Sequence, residues 1–206
     1  MASRTQAFIK KLIPSCDTWN PMLKRLFIAL SNRGIVFHPI QPYVLERVKD
    51  GKAVMTPYEM QVLIDCLFST SLLDTDNSTF IAEVGVFCGG SARILKDYAD
   101  GRTLLLCDTF GGLPEPNSNV DGYSFKTGMY KSCISDVVNT IGYSYPCDHD
   151  KVHFIEGVFP ISWESWIEKQ LVKTPVLLKR AVEVHLHNIK FSFVHLDVDL
   201  YESTKA

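Results

Sequence analysis

The chain has 206 residues, of which 46% are apolar and 21% charged, and its formal net charge is -2. That length and mixture can bury a real core, in one large domain or a domain with an extension. The near-neutral charge offers no electrostatic grip on nucleic acid or an anionic membrane surface, and no apolar run approaches the ~20 residues of a membrane span.

The opening "MASRTQAFIKKLIPSCDTW" lacks the apolar core of a signal peptide. Six cysteines (16, 66, 88, 107, 133 and 147) show no C-x-x-C pairing. Several lie in apolar runs such as "LIDCLF" and "TLLLCDTF", where a free thiol packs as a small hydrophobe. Both features point to a reducing cytoplasm.

Residues 1–55 read as a helical extension broken at Pro14, Pro21, Pro39 and Pro42. Within it, Met22, Leu23, Leu26, Phe27 and Leu30 form a helical stripe that Gly34 would close. A second unit, 56–206, begins with "TPYEMQVLIDCLFSTSLL". Thr56 is the N-cap, Pro57 takes the first helical position and Glu59 completes a capping box. This helix should end near Leu73, before the polar loop "DTDNST".

From Phe80 the pattern changes. "FIAEVGVF", "TLLLCDTF", "VHFIEGVF" and "FSFVHLDVDL" are four candidate strands. Between the first two, "SARILKDYADG" carries Ala92, Ile94, Leu95 and Tyr98 at helical spacing. Strand–helix alternation predicts an α/β fold, a mostly parallel sheet flanked by helices, with ligands bound at the carboxyl ends of the strands. The Pro- and Gly-rich "GGLPEPNSNVDGYSF" is long enough to serve as a lid.

In "AEVGVFCGGSARIL", Gly85, Gly89 and Gly90 let the backbone approach a ligand closely. The spacing is not G-x-G-x-x-G, and no G-K-[ST] follows, which excludes a nucleotide P-loop. Glu83 just before the loop would repel a pyrophosphate and suits a cationic ligand. The bland alternative is a tight turn that binds nothing. Asp108, 23 positions after Gly85, ends the second strand where a doubly wound sheet commonly holds a ribose diol. Glu156 and Asp197 end the third and fourth strands.

Residues two apart in a strand share a face, so Asp197 and Asp199 are expected to point the same way, with His195 behind them. Two close carboxylates resist ionisation without a cation, and Mg2+ characteristically takes one or two carboxylates with waters and substrate oxygens. Asp197 could then be both metal ligand and general base. Against this, Asp199 could simply cap a helix starting at "YESTKA". Other clusters carry less: His185 and His187 lack a third ligand, "CDHDKVH" resembles a metal site only in composition, and Trp163 and Trp166 at helical spacing read as packing.

Together, "EVGVFCGGSARIL", "DTFGGLPEP", "EGVFP" and "FVHLDVDLYEST" resemble the macrocin O-methyltransferase (TylF/MycF-like) family over roughly residues 56–206. The resemblance implies a Rossmann-like methyltransferase fold and an S-adenosylmethionine-dependent, Mg2+-dependent transfer to a hydroxyl of a sugar or similar polar small molecule. It implies that Glu83, Gly85, Gly89 and Ser91 line the methionine end of the donor. Asp108 would hold its ribose, Thr109 and Phe110 would flank the nucleoside, and Glu156 and Gly157 would sit near the adenine. It also implies a second acidic pair and further strands beyond Ala206, so the chain reads as the first four strands of a longer sheet. An exposed edge on strand four predicts weak catalysis and pairing with another chain, as in a homo-oligomer. Two other classes stay open: an NAD-dependent oxidoreductase and a non-catalytic binding module.

Overall fold

In a computed structural model, residues 44, 52–71, 79–145, 148–173 and 189–200 are described. By contacts the chain divides into Met1–Pro39 and Ile40–Ala206, and all described residues belong to the second unit. The stripe from Met22 to Leu30, Gly34, Leu73, residues 74–78 of the "DTDNST" loop, His185, His187 and the "YESTKA" segment lie outside the described residues.

Helix α1 spans Pro57–Ser71 and starts as the capping box requires. The Thr56 amide donates to Glu59 Oε2 at 2.7 Å, and the Glu59 amide donates back to Thr56 Oγ1 at 3.3 Å. The Thr56 amide foremost, and then the Thr56 hydroxyl donating to the same Oε2 at 2.9 Å, hold the Glu59 carboxyl below its ordinary range. Met60, Leu63, Ile64 and Leu67 recur at helical spacing and are all buried, so one face of α1 joins the core.

The four expected strands form: β1 Phe80–Val84, β2 Thr103–Asp108, β3 Val152–Glu156 and β4 Phe191–Leu196. All neighbouring pairs are parallel, in the order β3-β2-β1-β4. Helices α2 (Gly90–Asp97), α3 (Ile134–Ile141) and α4 (Ile161–Lys173) fill the connections. The fold is therefore a Rossmann-like α/β sheet.

Side chains alternate across the pleat and build two cores. Ile81, Leu104, Leu106 and Val152 face α1, α2 and α3, meeting Leu67, Ile94, Leu95, Val137 and Ile141. Ala82, Val84, Leu105, Cys107 and Ile155 face the other way, toward Phe159, Trp163 and Trp166. The two tryptophans stack, with ring centroids 5.3 Å apart and planes at 23°, so their helical spacing is packing. Arg102, 1% exposed, ties these layers together. Its guanidinium donates to the carbonyls of Ala99 and Leu67, to Thr70 Oγ1 and to Ser192 Oγ, joining the end of α1 to β4.

The chain leaves β1 for β2 on one side and returns from β3 to β4 on the other. The strand order therefore reverses between β1 and β4. That reversal is the switch point at which such sheets bind ligands. Among the described residues no helix is long and apolar enough to cross a membrane.

Candidate functional site

Strand-like hydrogen bonds continue one step past the strands and fix where the loops begin. Gly85 N donates to Cys107 O at 2.9 Å, Asp197 N to Val84 O at 2.8 Å and Gly157 N to Asp108 O at 2.9 Å. A cleft opens above these tips. Its floor carries Val84, Gly85, Cys107, Asp108, Gly157 and Asp197.

Gly85 has φ +90°, and a Cβ placed on it would overlap the carbonyl oxygen of Asp197. Glycine is thus required here by the close approach of β4, as well as by backbone conformation. The close approach places the first turn of the glycine loop against the acidic tip of β4. Gly90 is needed for a second approach: a Cβ there would lie 2.5 Å from the Ala53 Cβ, and its amide donates to Lys52 O at 3.1 Å. The segment Lys52–Met55, assigned from sequence to the N-terminal extension, consequently forms one wall of the cleft.

Asp108 organises the glycine loop. Its Oδ2 accepts the amides of Val86 (2.6 Å) and Phe87 (2.9 Å), and its Oδ1 accepts the amide of Phe110 (2.8 Å). The Thr109 hydroxyl lies 3.3 Å from Oδ1 but only 2.7 Å from Gly112 O, so its single proton goes to the carbonyl. A carboxylate has about four acceptor directions, which leaves Oδ1 one for a ligand hydroxyl.

Beneath the cleft, Glu83 is fully buried on β1 and faces His195 on β4, with Oε1 and Nδ1 2.9 Å apart. Its Oε2 is buried without a hydrogen-bond partner among the described residues. Burial pushes the Glu83 carboxyl above its ordinary range, against the pull of His195 and Ser91. Burial also opposes a charged His195, but the hydrogen bond and charge of Glu83, with Asp197 behind, outweigh it and raise the imidazole. Cys107 lines the cleft, yet burial, with the charges of Asp108 and Glu83, pushes its thiol up to about 12. It is a poor nucleophile.

Of the residues singled out from sequence, Gly85, Ser91, Asp108, Thr109, Gly157, Asp197 and Asp199 line the cleft. Glu83 lies under the floor, Gly89 packs on Val137 of α3, Phe110 joins the core, and Glu156 is exposed at the end of β3 away from the lining. Lys52, Phe87, Leu113, Tyr130 and Phe159 line the cleft without having been anticipated. Phe87 and Leu113 lie within the glycine loop and the Pro-rich segment, Tyr130 follows that segment and Phe159 belongs to the "EGVFP" turn, whereas Lys52 carried no sequence signal.

The strand argument for Asp197 and Asp199 needs correction. β4 ends at Leu196, and Asp199 has φ +57°, so the alternation of faces does not run through to it. A turn, not a pleat, brings both carboxylates to the opening. Burial and then the neighbouring Asp197 charge raise the Asp199 carboxyl, the signature of two acids that a cation would relieve. Among the described residues no group of three or more His, Cys, Asp or Glu side chains is placed to hold a metal ion. Asp197 and Asp199 thus fit only the mode in which protein carboxylates supply part of the shell.

No protein-family model and no curated protein matches the chain. Among solved structures, the crystal structure of CalS11, a calicheamicin methyltransferase, aligns over 88% of this chain and 68% of that chain, at 19% sequence identity and a TM-score of 0.46.

Proposed function

We propose that the cleft binds S-adenosylmethionine and that the protein is an O-methyltransferase, assisted by Mg2+, acting on a hydroxyl of a sugar or similar polar small molecule. The observation that carries this reading is the contact of Gly85 with Asp197 at the β1/β4 switch point, which puts a glycine loop and two carboxylates on one opening. The four motifs resembling macrocin O-methyltransferases support it independently, as does the poor fit of an acidic rim to a pyrophosphate.

S-adenosylmethionine would supply a methyl carbon made electrophilic by its sulfonium. Gly85 and Ser91 would lie along the methionine part, with Glu83 setting the potential from below and Gly89 holding the loop on α3. The remaining acceptor direction of Asp108 Oδ1 suits a ribose hydroxyl. Thr109 and Gly157 border the nucleoside end, with Phe110 and Glu156 supporting the two turns. Asp197 and Asp199 would hold Mg2+, whose charge lowers the pKa of a coordinated hydroxyl. Asp197 would accept the hydroxyl proton, and positioning would supply most of the remaining rate.

Titration calorimetry with S-adenosylmethionine, in the presence and absence of Mg2+, tests the reading, with NAD+ as the contrast. Binding of roughly micromolar affinity to the first ligand and none to the second is expected. Heat from NAD+ alone, or from neither ligand, would overturn the proposal.

A further inference from the structure

The glycine loop and the start of α3 touch at two places that bracket a pair of cysteines. Before the pair, the rings of Phe87 and Tyr130 meet edge to face with centroids 5.8 Å apart. After it, a Cβ on Gly89 would lie 3.0 Å from Val137 Cγ1 and 3.4 Å from Val137 Cα. Between these contacts lie Cys88 on the loop and Cys133 at the N-cap of α3, four residues before Val137. Both are free thiols, Cys88 half-buried and Cys133 exposed.

We propose that Cys88 and Cys133 form an oxidisable pair whose disulfide latches the glycine loop to the N-terminus of α3 at the mouth of the cleft. The oxidant is a peroxide. The exposed Cys133 thiol gives up its proton and attacks one peroxide oxygen; the O–O bond breaks and the leaving hydroxide takes up that proton, so a sulfenic acid and one water result. Cys88, giving up its proton in turn, attacks that sulfur; the S–S bond forms, the S–O bond breaks and the departing hydroxide takes the proton to become a second water. Two thiols lose two electrons and two protons, and hydrogen peroxide becomes two waters.

Cys88 and Cys133 lie within electrostatic reach of each other. Burial raises the Cys88 thiol, and Asp136 and Cys133 add to this while Lys52 opposes it. Cys133, the exposed thiol, is the site of first oxidation and the half-buried Cys88 the resolving thiol. Phe87 and Tyr130 line the cleft, so the latch would fix two of its walls relative to one another. The disulfide would also close a loop of 45 residues (133 − 88), long enough to restrict the unfolded chain strongly.

The test is peptide mapping of the full chain under non-reducing conditions after mild hydrogen peroxide. A Cys88–Cys133 cross-link is expected, with loss of the mass of two hydrogens and a melting temperature several degrees higher, both reversed by dithiothreitol. C88S and C133S should each abolish the cross-link, and C133S should also abolish the sulfenic acid trapped by dimedone. The outcome that overturns the proposal is two thiols that stay separate after peroxide, each free or singly oxidised, or a cross-link joining other cysteines. None of these readouts depends on methyl transfer, so failure of the latch and failure of the proposed activity are distinguishable.

Discussion

Glu83 on β1 and His195 on β4 face each other across the switch point, Oε1 to Nδ1 at 2.9 Å, inside a sheet whose other buried side chains are almost all apolar. The pair links the two strands that flank the switch point, and it sits two residues below Gly85 and Asp197. A buried acid of this kind is costly unless paired, so removing one partner leaves the other stranded. His195→Ala should destabilise the protein by about 3–5 kcal/mol, read from urea unfolding.

The pair also sets a pH dependence. Both groups have raised folded values, Glu83 through burial and His195 through Glu83 overcoming its own burial. A raised value means the native state keeps its proton longer than the unfolded chain does. The Glu83 contribution is therefore full below its unfolded value of about 4.3, and that of His195 below about 6.5. Each is lost as pH rises through its folded value. The melting temperature should fall between neutral and alkaline pH, and the fall should flatten in Glu83→Gln/His195→Gln. A wild-type curve that is flat over that range would contradict the assignment.

Gly85→Ala should be among the most damaging single-methyl additions in the chain. The new Cβ meets the Asp197 carbonyl, which is backbone and cannot rotate away, at a residue with φ +90°. Conformational strain of about 1–3 kcal/mol adds to the cost of moving β4. Chemical denaturation should show a loss of roughly 3 kcal/mol or more, and donor affinity should fall with it. Gly111→Ala is the control, since a Cβ there meets nothing nearer than 3.7 Å.

Asp108 should act on the donor site chiefly through the loop it holds. Asp108→Ala strands the amides of Val86, Phe87 and Phe110, at about 1–3 kcal/mol for each buried group left unpaired. Donor binding should be lost, and amide exchange at Val86 and Phe87 should speed up. If exchange there stays slow while binding disappears, Asp108 contacts the donor directly and its backbone bonds are incidental.

The four strands, their order of appearance and the capping box at Thr56 were legible because each rests on a local period or a short-range bond. The packing role of Trp163 and Trp166 was legible for the same reason. The site was legible only in outline. A glycine loop followed by strand-end carboxylates marks a cleft, but which carboxylates face it depends on turns. Asp199 reaches the opening through a positive φ that no alternation rule contains, while Glu156, which obeys the same strand-end rule, stays exposed outside the lining. The Lys52–Met55 wall depends on a contact with Gly90 across more than thirty residues of sequence, beyond the range of any periodic signal. The pairing of Glu83 with His195 is longer still, at a separation of 112 residues.

Asp197→Asn separates binding from chemistry. The Asp197 amide bond to Val84 and the carbonyl pressed on Gly85 are backbone features, so the substitution should leave the cleft and donor affinity unchanged. It removes one negative charge from the opening. The Asp199 carboxyl, raised by burial and by Asp197, should then shift down toward its ordinary range, as an NMR titration of that residue would show. Methyl transfer should fall by at least about a hundredfold, the scale of a lost general base, and added Mg2+ should no longer stimulate it. Turnover at the wild-type rate, with Asp199 shifted as expected, would show that the pair is electrostatically coupled but that Asp197 is not the base.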